Sequence, residues 1–130
     1  MIHTVKTTEK KEFVDITDEI RKLVKSSGVT EGICMLYVPH TTAAVTINEN
    51  ADPTVKSDIL MILNKIVPSE AGYRHLEGNS AAHIQSTLVG ASELIAVKDG
   101  RLALGTWQGI FFCEFDGPRT RKIYVNILSR

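Results

Sequence analysis

Residues 109–128, Gly-Ile-Phe-Phe-Cys-Glu-Phe-Asp-Gly-Pro-Arg-Thr-Arg-Lys-Ile-Tyr-Val-Asn-Ile-Leu, decide the fold. Two apolar, β-rich runs, 109–115 and 122–128, are joined by Asp116-Gly117-Pro118-Arg119, residues that favour a turn. Upstream, 93–98 and 101–104 flank Asp99-Gly100, a strong signal for a two-residue hairpin. The continuous apolar run 31–38, closed by Pro39, reads as a buried strand, and 41–47 as a second β-prone run. At the other end, 2–8 and 12–16 are β-branched or alternating, with Glu9-Lys10-Lys11 as the exposed turn between them.

The helices are fewer and set apart from one another. Thr17 is placed to cap one, with Asp18 and Glu19 in its first turn and Gly28 at its end. Asp52-Pro53 opens a second, in which Val55, Ile59, Ile62 and Ile66 form one stripe. Leu60, Met61 and Leu63 widen that stripe, so a cover on more than one side is expected. Residues 69–80 read as a polar loop and 81–89 as a short helix. About seven strands and two or three helices, without regular alternation, predict an α+β fold with a largely antiparallel sheet.

The chain has 130 residues, enough for a single domain. At that size roughly 65–70% of the unfolded surface is buried, so a core without staples is feasible. Lys and Arg number 15 and Asp and Glu number 15, so no basic excess marks a general nucleic-acid binder. Aromatics at 6% also argue against a base-stacking surface. The balance hides a pattern. Residues 40–116 hold five positive and nine negative side chains, and residues 117–130 hold four positive and none negative. An acidic, histidine-containing middle is therefore followed by a basic C-terminal strand, the division that a cation site and an anion site would need if folding or assembly brought them together.

The two cysteines, Cys34 and Cys113, lie in apolar runs outside any CxxC pattern and read as reduced core thiols. The first residues lack the pattern of a secretory leader, and no apolar run approaches the ~20 residues of a membrane span. The expected compartment is the cytoplasm.

Three stretches gather polar chemistry. The first runs from His40-Thr41-Thr42 to Asn48-Glu49-Asn50-Ala51-Asp52. The second is His75-Leu76-Glu77-Gly78-Asn79 with His83. The third is Gly105-Thr106-Trp107-Gln108-Gly109 with Glu114, Asp116, Arg119 and Arg121. Each has a plainer reading as well: His40 as a surface turn residue, Asp52 as a helix cap, His75 and Glu77 as a solvated loop pair, Trp107 as core filler. Arg119 and Arg121 lie two apart and share one face of a strand. Histidine with carboxylate suits zinc or another divalent ion, although the spacing matches no established metal signature. P-loop, dinucleotide-binding and GxSxG patterns are absent.

His40-Thr41-Thr42-Ala43-Ala44, Asn48-Glu49-Asn50-Ala51-Asp52-Pro53, His75 with Glu77-Gly78, Ala82-His83-Ile84 and Leu104-Gly105-Thr106-Trp107-Gln108-Gly109-Ile110 together resemble the YjbQ family almost end to end. The resemblance implies a compact α+β homotrimer with polar clefts between subunits. It implies a secondary thiamine-phosphate synthase activity, joining a pyrimidine diphosphate and a thiazole phosphate with release of pyrophosphate. It carries over His40, Asn48, Glu49, Asp52, His75, Glu77, His83, Trp107, Gln108, Glu114 and Arg121. The roles expected are Glu49, His83 and Arg121 in catalysis and Asn48, Trp107, Gln108, Glu114 and Arg119 in substrate binding. His40, His75 and His83 are the expected ligands of zinc or magnesium. Phosphorylated small molecules are the expected partners, with no nucleic acid and no membrane. Where some relatives have a His-Arg pair after the glutamate, this chain has Phe115-Asp116, and its loop before His83 is shorter than in some relatives. The alternative reading is a trimeric metal- or phosphometabolite-binding protein whose synthase activity is incidental.

Overall fold

In the first half of the last strand every second residue is buried, whereas six of the seven residues of the strand before it are. That difference reflects the layering of the whole molecule. A computed structural model describes residues 1–130. In chain order the elements are β1 (Ile2–Lys6), β2 (Glu12–Asp15), α1 (Thr17–Ser27), β3 (Gly32–Tyr37), β4 (Ala43–Glu49), α2 (Pro53–Ile66), α3 (Ser80–Val89), β5 (Ser92–Lys98), β6 (Arg101–Leu102), β7 (Gln108–Glu114) and β8 (Thr120–Ser129). All strand pairs are antiparallel. The larger sheet has the order β1-β8-β3-β5-β6 and the smaller the order β2-β7-β4.

The sheets pack face to face. Ile123, Val125, Leu36 and Val97 from the larger sheet meet Val45, Ile110 and Phe112 from the smaller one, and Ile16, Ile20 and Val24 from α1 and the turn before it close the same core. A second core lies on the other face of the small sheet, where Ala44, Phe111, Cys113 and Phe115 gather with Ile59, Leu60 and Leu63 of α2. The small sheet is thus covered on both faces, which is why Ile110-Phe111-Phe112-Cys113 is apolar without alternation. The outer face of the large sheet has no cover: Leu94 is 67% and Leu128 59% exposed, beside Ile33 and Tyr37. Helix α2 buries no residue completely and leaves Met61, Ile62 and Ile66 exposed.

Several local expectations are met. Asp52 caps α2, its Oδ1 accepting from the Thr54 N–H at 2.9 Å, with Pro53 in the first turn. Gly28 ends α1 in the left-handed region. Asp99 and Gly100 both take positive φ and join β5 to β6. Cys34 and Cys113 are buried and unpaired, in separate cores. Burial raises the thiol of Cys34 to about 11 and pushes that of Cys113 further.

The start of α1 differs from expectation. Thr17 lies inside the helix rather than at its cap. Ile16 holds the cap position, and Asp15 just before it supplies the acceptor, its Oδ1 accepting from both the Thr17 N–H (2.9 Å) and the Thr17 hydroxyl. A carboxylate two residues upstream is the stronger acceptor for the free N–H groups. This leaves the Thr17 oxygen to accept the buried Ile110 N–H at 2.8 Å, which ties α1 to β7. The strands number eight, the short pair at 101–104 shrinking to Arg101–Leu102.

The turn that opened the sequence reading also differs from a simple hairpin. β7 and β8 are consecutive, yet they lie in different sheets. The chain crosses between layers at 115–119, and the Gly117–Pro118 bond is cis. Gly117 is packed so tightly there that a Cβ would lie 2.3 Å from the Glu9 carbonyl oxygen and 2.8 Å from Glu114 Cγ. No side chain fits.

Candidate functional site

Three connections and a helix meet at one end of the small sheet. The β3–β4 link supplies His40 and Thr42, the α2–α3 loop supplies His75 and Glu77, α3 supplies His83, and the β7–β8 crossing supplies Asp116 and Arg119. They enclose an open cleft of about 410 Å³, and none of its eleven lining residues is hydrophobic. Arg121, near the start of β8, also lines it.

The floor is an ion pair. Glu114 is fully buried and Arg121 is 5% exposed. Arg121 Nε donates to Glu114 Oε1 at 2.9 Å and Nη2 to Oε2 at 2.5 Å. Nη2 also donates to Thr42 Oγ1 at 2.8 Å. The carboxylate further accepts from the Thr7 hydroxyl at 2.7 Å and the Asp116 N–H at 3.1 Å. Burial alone would raise the Glu114 pKa. The bonds from Arg121, Thr7 and Asp116 outweigh it and hold the carboxyl below its ordinary range.

The rim is a second, wetter pair. Arg119 donates from Nε to the Asp116 carbonyl at 2.7 Å and from Nη2 to Asp116 Oδ2 at 3.1 Å. The side chain of Arg119 is 55% exposed. Asp116 Oδ2 also accepts from Asn79 Nδ2 at 3.0 Å. Asn79 occupies the capping position of α3 without a side-chain cap bond: its Nδ2 donates to Asp116, and its Oδ1 has no partner. Burial would raise the Asp116 pKa, but the bonds from Asn79 and Arg119 bring it below normal.

The histidines divide by tautomer and position. His40 Nε2 accepts the Lys122 N–H at 2.9 Å. The ring proton of neutral His40 therefore sits on Nδ1. Burial first, and the Arg121 charge second, hold its pKa below the ordinary histidine value. The rings of His75 and His83 stand edge to face, their centroids 5.4 Å apart.

As a test of the expected metal ligands, this arrangement is uneven. His40 has spent Nε2, so the three-histidine set loses that nitrogen. His75 and His83 remain as a close imidazole pair, a donor set that suits zinc better than magnesium. No three His, Cys, Asp or Glu side chains are gathered closely enough to hold an ion.

The structure brings His40, His75, Glu77, His83, Arg119 and Arg121 to one cleft, with Glu114 beneath it. It does not bring the other expected residues there. Asn48 and Glu49 end β4 and pair with Gly109 and Gln108, while the cleft lies at the Ala43–Glu114 end of the same ladder. Seven residues of strand separate the two ends, about 20 Å at ~3.3 Å per residue.

At that far end the Gly105–Gly109 loop is internally braced. Gln108 Oε1 accepts the Gly105 N–H at 2.8 Å, and the Asn50 N–H donates to the Trp107 carbonyl at 3.0 Å. A Cβ on Gly109 would lie 2.3 Å from Asn50 Nδ2. Gln108 thus shapes its own loop, which holds Trp107 63% exposed rather than filling a core.

Thr7, Thr42, Asn79 and Asp116 escaped the expected site list, though each bonds to its charged pairs. Asp116 carried a signal, lying two residues after Glu114. Thr7 carried none, because its partner is 107 residues away.

With this geometry in place, comparison with known proteins is decisive. The family described as "UPF0047 protein YjbQ-like" matches residues 1–130. The chain belongs to the YjbQ family. A UPF0047 protein of Methanocaldococcus jannaschii is 56% identical to this YjbQ-family chain over 127 residues, covering 98% of it and 92% of the relative. The Bacillus subtilis UPF0047 protein YugU is 53% identical and covers 96% of both chains. The crystal structure of a YjbQ/UPF0047 protein from Clostridium acetobutylicum, 51% identical, superposes with a TM-score of 0.96 over 98% of this chain and 99% of the other. A protein of unknown function from Sulfolobus solfataricus, 38% identical, gives the same TM-score over 100% and 96%.

Proposed function

We propose that the cleft binds the phosphate or diphosphate of a small molecule, and that it serves the secondary thiamine-phosphate synthase activity which the family resemblance implies. One observation carries this reading: a cleft of about 410 Å³ whose walls, apart from Pro39, are polar, with Arg119, Arg121 and three histidines among them. Arginine matches phosphate oxygens in pairs, and Arg119 is exposed enough to turn toward one.

The chemistry asks little of the protein. The carbon–oxygen bond to the diphosphate breaks, and its electron pair leaves with pyrophosphate. The thiazole nitrogen supplies its lone pair to the same carbon, giving the thiazolium product. No covalent nucleophile is required, and both cysteines are buried with raised pKa values. The chain's own groups hold the departing charge: Arg119 as the mobile cation, the remaining Nη1 of Arg121, and the Nδ1–H of neutral His40. A zinc ion belongs to the same proposal: His75 and His83 would hold it, and it would supply charge neutralisation to a diphosphate.

The alternative is a phosphometabolite-binding protein with incidental turnover. It is favoured by the separation of Asn48, Glu49, Trp107 and Gln108 from the cleft. Within one protomer the anion half of a site stands without an aromatic platform. A homotrimer would reconcile the two ends, because a three-fold ring joins two different patches of neighbouring copies. The uncovered faces of the large sheet and of α2 support such assembly.

The test is direct assay of pyrophosphate release from the two precursors, beside calorimetric binding of pyrophosphate. Arg119→Ala should lower both by about tenfold, the worth of one charge-assisted contact. Tight pyrophosphate binding without turnover selects the binding protein. Failure to bind pyrophosphate refutes both readings.

A further inference from the structure

The cleft continues past His40 and His83. A second cavity of about 420 Å³ adjoins it, and His40, Thr41 and His83 line both. Its other walls are Ala43, Ser86, Thr87, Gly90 and Ala91. The two chambers differ sharply in chemistry. The first holds Glu77, Asp116, Arg119 and Arg121. The second holds no Asp, Glu, Lys or Arg, and its polar groups are hydroxyls and the two shared imidazoles.

Two details mark the second chamber as more than a surface dent. Ser86 is only 8% exposed, yet its Oγ has no hydrogen-bond partner. Buried polar atoms are almost always paired. The neighbouring Thr87 hydroxyl, by contrast, is spent on the His83 carbonyl at 2.9 Å. Gly90 lies at φ +104°, and a Cβ there would touch nothing within 4 Å, so that wall is open.

We propose that this neutral chamber is a subsite for the uncharged ring of a bipartite ligand whose phosphate sits in the charged chamber, with His40 and His83 at the junction. This rests on the reading of the first chamber as a phosphate site and adds what is attached to that phosphate. A ring with a hydrogen-bonding group would offer Ser86 its missing partner, and the two alanines and Gly90 leave room for a flat face. His40, with Nε2 bound to the Lys122 N–H, is held at the boundary as a fixed wall.

The experiment titrates the purified protein with inorganic phosphate and with benzyl phosphate by calorimetry. Benzyl phosphate should bind about tenfold more tightly, the gain expected from burying most of a six-membered ring. Thr87→Met, on the exposed side of α3, and Ala91→Leu both narrow the neutral chamber. Each should abolish that tenfold advantage while leaving phosphate affinity within about twofold. Arg119→Ala should weaken both ligands together. Phosphate binding without a benzyl advantage, or an advantage that survives both narrowing variants, overturns the subsite and leaves the phosphate reading standing. If neither compound binds, the phosphate reading fails and the subsite falls with it.

Discussion

Removing Glu114 should destabilise the fold by stranding Arg121. In Glu114→Ala, Arg121, a residue only 5% exposed, keeps only its contacts to Thr42. The Thr7 hydroxyl loses its shorter bond and keeps only the Arg119 carbonyl, and the Asp116 N–H loses its acceptor. Stranding one member of a buried pair costs about 3–5 kcal/mol, against a total stability of about 5–15 kcal/mol for a domain. Urea unfolding followed by circular dichroism, at fixed protomer concentration, should show that loss as a lower midpoint with little change in slope. The double variant Glu114→Leu/Arg121→Met removes both charges and should be more stable than Glu114→Ala, because neither charge is left alone. A single-variant cost under about 1 kcal/mol, or a double variant whose loss equals the sum of the singles, refutes the argument that this pair is a closed, desolvated clamp.

Other consequences are more quickly checked. Folded His40 has a lowered pKa, so the unfolded chain binds more protons below about pH 6.5; Glu114 acts in the same direction below its unfolded value near 4.5. Stability should therefore be full above neutral pH and fall progressively on acidification, with the first part of that fall missing in His40→Gln thermal melts. Gly117→Ala should lower stability by about 1–3 kcal/mol through overpacking against Glu9 and Glu114, whereas Gly72→Ala, in the open α2–α3 loop, should cost no more than about 1 kcal/mol. Light scattering should give three times the protomer mass, and Leu94→Glu/Leu128→Lys on the uncovered sheet face should reduce it. A clean monomer in the native chain would remove the trimer proposal. Trp107 is the only tryptophan. Its emission should shift to shorter wavelength on assembly, and an emission fixed at the fully solvated position would exclude it from any subunit contact.

The sequence signals that succeeded were local. Asp52-Pro53 announced α2, Asp99-Gly100 announced the β5–β6 turn, and the α+β class followed from strands that outnumber and do not alternate with helices. The histidine cluster was legible as residue types. Its convergence was not, because His40, His75 and His83 come from two different connections and a helix. The segregation of charge proved real in detail, since Arg119 and Arg121 meet Asp116 and Glu114, the last two acids of the chain's middle. What pattern alone could not show is the change of sheet at 115–119. Two apolar runs separated by a four-residue turn look the same whether they pair or part. For the same reason nothing indicated that Glu49 and Gln108 would sit a full strand length from His40.

The burial of β7 on both faces has a dynamic consequence. From Phe111 to Glu114 this strand is paired on both sides, with β2 and with β4, and six of its seven residues are buried. Such a strand exchanges its backbone hydrogens only when the whole molecule opens. Glu114 sits at its end, so the acidic floor of the cleft inherits the longest-lived part of the fold. Residues 74–78 opposite are all solvent-exposed, with Leu76 99% so. A ligand would therefore meet an unyielding base and a compliant edge, and tight capture would register chiefly as slowed exchange around His75 and Glu77.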